Sequence, residues 1–207
     1  MRLFQWALFL WAVNLVFLGP IAVAAATAGG AEHRLDIHNI PWLQALLWAP
    51  IVEELVFRYS LRRIGQAVWV LPVAVIVMLS GPTLTAQLLL LALLLLMYWS
   101  AHGRQAAGQS VAVSARAAQW RRSYLTLFGW AFHASSLAFA AVHLHNFNLQ
   151  QTPAWLLPLL VLPQWLTGLV LGWMRMRYGI GAAIRLHALF NGGPLLLVWF
   201  IVHFAQG

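Results

Sequence analysis

Long apolar runs, broken by short polar patches, set the rhythm of this chain. Seven runs stand out, at roughly residues 3–25, 41–61, 66–80, 84–101, 123–145, 155–174 and 181–204. Most are close to the length at which a helix rising ~1.5 Å per residue crosses a hydrocarbon core of ~30 Å. The pattern predicts an all-α fold, a polytopic transmembrane helix bundle of about seven helices, in one membrane domain over 1–207. The third run is short and holds Pro72, which predicts a tilted, kinked or re-entrant helix. The fourth, centred on 88–96, is the plainest lipid-facing helix. The first begins after Arg2 and ends in Ala22-Val-Ala24-Ala-Ala-Thr-Ala28, small residues of the kind that mark a signal peptide. We read it as a retained first helix; a cleaved leader, leaving six helices, is the alternative.

Composition agrees with the pattern. The chain is 62% hydrophobic and only 8% charged, about a third of the charge a soluble domain carries. It has no cysteine, which excludes disulfides and a cysteine nucleophile. All 12 basic residues are arginine, and the net charge is +8. Their placement points to orientation rather than to nucleic acid. Arg2, Arg62, Arg63, Arg104, Arg116, Arg121, Arg122, Arg175, Arg177 and Arg185 flank alternate connections. The connections at Gly81-Pro82 and 145–153 carry none, and only Arg34 falls opposite, beside Glu32 and Asp36. The positive-inside rule predicts a cytoplasmic N-terminus and an outer C-terminus. The 102–122 stretch, with Gly103, Gly108, Ser110 and Ser114, reads as a cytoplasmic basic loop that touches anionic lipid or only sets topology. The compact size suggests a bacterial inner (plasma) membrane, with the lipid bilayer as a partner.

Against this background a few polar residues are conspicuous. Glu53 and Glu54 are two of only four acidic residues, and both lie in the second apolar run. A carboxylate at that depth costs ~3 kcal/mol or more on insertion scales. Arg58, four residues on, shares a helix face with Glu54 and can neutralise it. Glu53 points elsewhere and is left without that explanation. Phe139 and His143, and His187 and Asn191, are two further pairs at a spacing of four, each on one helix face. Amide hydrolysis needs a base for water and donors for the developing oxyanion. Glu53 with His143 could supply the first, and His187 with Asn191 the second. The plainer reading is that each group makes a helix–helix hydrogen bond or, for Glu54 and Arg58, a structural ion pair. His133, His145, His203, Asn14 and Gln87 stay in that plainer class. Trp6, Trp42, Trp99, Trp155 and Trp199 read mostly as interfacial anchors. The plain account weakens for the set as a whole.

Taken in order, the three motifs resemble the CPBP family, the CAAX-protease and bacteriocin-processing proteins, whose pattern is Glu-Glu-x-x-x-Arg, Phe-x-x-x-His and His-x-x-x-Asn. Here they are Glu53-Glu54-Leu-Val-Phe-Arg58, Phe139 to His143 and His187 to Asn191, with Ala49-Pro50-Ile-Val and Gly179-Ile-Gly-Ala-Ala-Ile-Arg-Leu as similar flanks. The resemblance covers most of 42–200. It implies a glutamic-type intramembrane endopeptidase in which Glu53 activates water with His143. Glu54 and Arg58 would hold the helix and tune its charge, with Phe139 in support, and His187 and Asn191 would stabilise the oxyanion. It implies no cofactor and no metal ligands; a zinc-dependent protease is the alternative, though Asn191 is a poor zinc ligand. The substrate would be a membrane-associated peptide or protein, such as a prenylated C-terminal tail, a bacteriocin precursor or a sorting tail, and not nucleic acid. A non-catalytic immunity or scaffold protein of the same family and a small proton-relaying transporter are the competing readings. The sequence departs from the family pattern in having one segment before the first motif and 85 positions from Arg58 to His143. This predicts a motif-bearing core of 42–64 plus 123–204, with an inserted helix pair and basic loop over 65–122.

Straight helices bring a conflict of depth. Glu53 falls about 18 Å from the start of its run and His187 about 9 Å from the inner start of the last one. His143 falls at the outer end of its own. The motifs can meet only if helices are tilted, broken or overhanging.

Overall fold

The computed structural model describes residues 3–106 and 115–204. Every apolar run is helical. Helix α1 (Leu3–Gly29) is followed by α2 (Ala49–Arg58), α3 (Ile64–Ser80), α4 (Leu84–Ala106), α5 (Ala115–Val142), α6 (Leu157–Leu160), α7 (Leu162–Tyr178) and α8 (Ile180–Phe204). Two short strands, β1 (Glu32–His33) and β2 (Phe147–Asn148), pair antiparallel, with Glu32 opposite Asn148 and His33 opposite Phe147. The chain is an all-α membrane helix bundle. Among the described residues α1, the stretch Arg122–Asn146 and α8 are long and apolar enough to cross a membrane, and the bent pair α6–α7 makes a fourth. The shorter α2 carries three charges. The 17 residues of α3 rise only ~26 Å.

Proline sets the local geometry at several points, because it has no N–H for the carbonyl one turn back. In α1 and just ahead of α2 the chain forms a wide π turn, Asn14–Leu18 before Gly19-Pro20 and Gln44–Trp48 before Ala49-Pro50. The N–H of Gly19 reaches back to the Asn14 carbonyl and that of Ala49 to the Gln44 carbonyl. In that register the next carbonyls, of Leu15 and Ala45, face Pro20 and Pro50 and are freed. Pro72 inside α3 and Pro194 inside α8 free the carbonyls of Val68 and Phe190 in the same way. Pro158 and Pro163 open α6 and α7, where a missing N–H costs least. The chain bends there by 47°.

The bundle has two distinct ends. At one, β1–β2 ties the connection around residues 30–40 to that at 145–153. At the other, the Tyr124 hydroxyl donates to the Leu61 carbonyl at 3.0 Å, and Trp6 packs on Trp173 with ring centroids 4.9 Å apart. The arginine-rich connections gather at this second end. Arg175, which the sequence places among the orientation charges, instead turns inward and is buried. Its Nε lies 3.2 Å from the Arg58 carbonyl and its Nη2 3.2 Å from that of Tyr59. Ser135 donates to the Phe57 carbonyl. The C-terminal carbonyls of α2 have no partners within the helix, and a cation also suits that end of the helix dipole.

One apolar core joins Val52, Leu55 and Phe57 of α2 to Leu171 and Met174 of α7 and Leu186 of α8, and runs on through Val70, Ala74 and Val77 of α3 to Leu90 and Leu93 of α4. The α3–α4 hairpin thus packs on the flank of α2. Helices α4 and α5 run into the stretch read as a loop over 102–122, because its alanines, arginines and glutamines are good helix formers. Gly108, Ser110 and Ser114 lie outside the described residues.

Candidate active site

The two adjacent carboxylates of α2 face different surroundings, since successive residues on a helix point ~100° apart. Glu54 is fully buried. Its Oε1 accepts from Arg58 Nη1 at 2.6 Å and lies 3.0 Å from His187 Nδ1. The Arg58 guanidinium lies 3.9 Å from the centre of the Phe139 ring, a cation–π contact that needs no water. Glu53 turns toward a cavity. Its Oε2 has no hydrogen-bond partner among the described residues and stands 3.7 Å from His187 Nε2. The order in space is therefore Arg58, Glu54, His187, Glu53. Because Glu54 is paired with Arg58 and acts as an acceptor, His187 presents Nδ1–H to it. This leaves His187 Nε2 facing Glu53.

His143 closes α5, in a 3-10 turn over His143–Asn146. Its Nδ1 donates to the Phe139 carbonyl at 2.8 Å, so in the neutral ring Nε2 holds the lone pair. The Phe139 ring lies 4.6 Å from the His143 ring and 5.5 Å from that of His187. Gly168 lets α7 approach this cluster, since a Cβ there would sit 3.2 Å from Phe139 and 3.4 Å from Arg58 Nη2.

Asn191 owes its place to a proline on another helix. Its Nδ2 donates at 2.9 Å to the Ala45 carbonyl, the one freed by Pro50. One amide hydrogen is used there and the second remains for the cavity. The neighbouring residue repeats the device. The Phe190 carbonyl, freed by Pro194, accepts from Trp11 Nε1 at 3.1 Å. Gly193 makes room, because a Cβ at that position would lie 2.3 Å from the Trp11 ring.

Glu53, Phe139, His143, His187 and Asn191 all line one cavity of about 430 Å³, and Glu54 and Arg58 stand behind it. For Glu53 and His187 the conflict of depth eases, because α2 stops at Arg58 and both can be measured from the same end of the bundle. Glu53 is ~8 Å and His187 ~10 Å from the arginine-rich ends of their helices. His143 meets them because α5 ends there and hands over to β2. Sequence reasoning missed Gln164, Thr167, His33 and Asn146, which share the wall. Gln164 is a lone amide in an apolar run, and its Oε1 is buried without a hydrogen-bond partner among the described residues. His133 and His203 stay outside, exposed, with His203 bonded to the Trp199 carbonyl. Two roomier grooves, about 530 and 580 Å³, contain no carboxylate, histidine or amide side chain. Among the described residues no three His, Asp or Glu side chains are grouped as a metal-ligand set.

A family model described as type II CAAX prenyl endopeptidase Rce1-like aligns with residues 38–193. No curated protein and no solved structure matches the chain. The aligned span contains α2 through most of α8 and every residue of the cavity named above except His33, and the chain is therefore a member of the Rce1-like type II CAAX prenyl endopeptidase family, a family of membrane-embedded proteases.

Proposed function

We propose that this chain is a glutamic-type intramembrane endopeptidase that cuts a membrane-associated peptide or protein. The observation that carries the reading is the division of labour in α2. Arg58 neutralises Glu54, while Glu53 lies free on the cavity wall with His143, His187 and Asn191. Glu53 takes one proton from water, whose other O–H donates to the lone pair on Nε2 of His143. The hydroxide adds to the scissile carbonyl carbon. The resulting oxyanion is met by the second amide hydrogen of Asn191 and by Nε2 of His187. As the tetrahedral intermediate collapses, Glu53 returns the proton to the leaving nitrogen, and atoms and charge balance.

His187 stands between Glu53 and Glu54, and it meets an oxyanion only in a form whose Nε2 carries a hydrogen. Gln164 offers to a substrate N–H an oxygen that has no partner among the described residues. We place the N-terminus on the cytoplasmic side of the membrane, on the strength of the arginine asymmetry.

The test is a comparison of native membranes carrying the wild type or Glu53→Ala, by terminal-peptide mass spectrometry. Peptide termini present only with the wild type are expected, and they would name the substrate. Their absence, with both proteins inserted and abundant, would favour a scaffold or immunity role and defeat the proposal.

A further inference from the structure

The cavity has a direction. Its wall is completed by His33, Leu35, Pro41 and Gln44 from the connection after α1 and by Asn146 from the turn after α5. Those two connections are the ones joined by β1–β2. The mouth therefore lies at the arginine-poor end of the bundle. The charges described there are Arg34 against Glu32 and Asp36, while the 145–153 and Gly81-Pro82 connections carry none. The opposite end is closed. Arg175 fills the foot of α2 by binding the Arg58 and Tyr59 carbonyls, Tyr124 ties down Leu61, and Ser135 holds Phe57. Arg62, Arg63, Arg122 and Arg177 surround this closed foot. Arg185 lies partway along α8, and its Nε turns back to the Gly181 carbonyl at 3.0 Å, toward the same end. Long basic side chains near helix ends reach for the nearest interface in this way.

We infer that the cavity opens to the side of the membrane away from the cytoplasm. The arginine-rich end is retained inside by the positive-inside rule, and the mouth lies at the other. Resting on the proteolytic reading above, this makes the substrate class an extracytoplasmic, membrane-proximal segment of an anchored protein or peptide. A lipid-modified tail displayed in the cytoplasm would meet the closed foot of the bundle.

The absence of native cysteine makes the inference directly testable by single-cysteine labelling. Full-length Asn39→Cys (mouth connection), Gln44→Cys (cavity wall) and Ser123→Cys (closed end) would be expressed in bacterial spheroplasts and exposed to a membrane-impermeant maleimide. The expected result is labelling of positions 39 and 44 at least tenfold above position 123 in intact spheroplasts, and comparable labelling of all three after permeabilisation. Labelling of 123 equal to or above that of 39 overturns the orientation. Labelling of 39 without 44 overturns the opening of the cavity on that side. Thermal unfolding of each variant confirms that it is folded. The cut sites found with wild type but not Glu53→Ala supply the second arm. Cut sites in cytoplasmic segments defeat the inference, whereas no Glu53-dependent cut at all defeats the proteolytic reading and leaves the labelling result to decide where the cavity opens.

Discussion

Four prolines break helical hydrogen-bond ladders in this bundle, and they fall into two pairs. Pro20 and Pro72 free the carbonyls of Leu15 and Val68, residues that are 51% and 78% exposed. Among the described residues no side chain donates to either oxygen. Pro50 and Pro194 free the carbonyls of Ala45 and Phe190, and each is taken by another helix, through Asn191 and Trp11. The local defect is the same in all four. What differs is whether a second helix lies against it. Within a bilayer a freed carbonyl can be re-satisfied only by a neighbouring protein group or a stray water. At Ala45 and Phe190 the defect has become an anchor. The two anchored positions on α8 are adjacent, so α8 is registered against both α1 and the π turn ahead of α2.

The largest expected effect comes from removing the anchor that also faces the cavity. Asn191→Leu should lower the yield of Glu53-dependent peptide termini by about a hundredfold, the usual loss for one oxyanion donor. It should also reduce stability by ~1–3 kcal/mol through the orphaned Ala45 carbonyl, measured by thermal unfolding in detergent. A stable and active variant would remove Asn191 from both roles. Trp11→Phe separates the two effects. It orphans the Phe190 carbonyl at a similar cost of ~1–3 kcal/mol, but touches nothing in the cavity, so its cleavage should fall far less than that of Asn191→Leu. Equal losses in the two variants would show that stability alone controls activity.

Proline replacements test the comparison itself. Pro20→Ala and Pro72→Ala restore an N–H on an exposed face and should raise stability, by up to ~3 kcal/mol, with cleavage unchanged. Pro50→Ala also restores an N–H, but it then competes with Asn191 for the Ala45 carbonyl. Cleavage should slow several-fold while unfolding moves up or stays level. Full activity in Pro50→Ala would show that Asn191 does not depend on the freed carbonyl.

The smallest effect lies outside the membrane. The Leu35 N–H donates at 3.0 Å to Nδ1 of His33, whose ring packs 5.0 Å from Phe147. Burial holds the His33 pKa below its ordinary 6.5. The neutral ring is thus favoured in the folded protein. Its stabilising contribution is complete above 6.5 and is lost as the pH falls through the lowered folded value. A proton on Nδ1 would abolish the acceptor. Amide exchange at Leu35 should accelerate relative to helix amides, after correction for intrinsic rates, between pH 7 and pH 5. Unchanged protection would mean that the rim of the cavity does not depend on this bond.

The helices were legible because their length and apolarity are local properties of the chain. The site was legible in part for the same reason. Phe139 and His143, Glu54 and Arg58, and His187 and Asn191 each lie four residues apart, and a helix brings such pairs to one face whatever surrounds it. The burial of Arg175 was not legible because it depends on the open end of α2, which lies 117 residues away in sequence. Gln164 was passed over because nothing local distinguishes an amide facing a cavity from one facing a neighbouring helix.

By itself the sequence determined an all-helical membrane chain, the segregation of arginine, the break at Pro72 and the separation of Glu53 from the Glu54–Arg58 pair. All of these follow from backbone chemistry, helical period and the cost of charge in lipid, which act over a few residues. The tertiary structure alone decided that Glu54 meets His187 across 133 residues and that Asn191 meets Ala45 across 146. It alone decided that β1 meets β2 over the mouth, and that the cavity opens at one end of the bundle. Those contacts depend on the depth and rotation of one helix against another, and no local period encodes either.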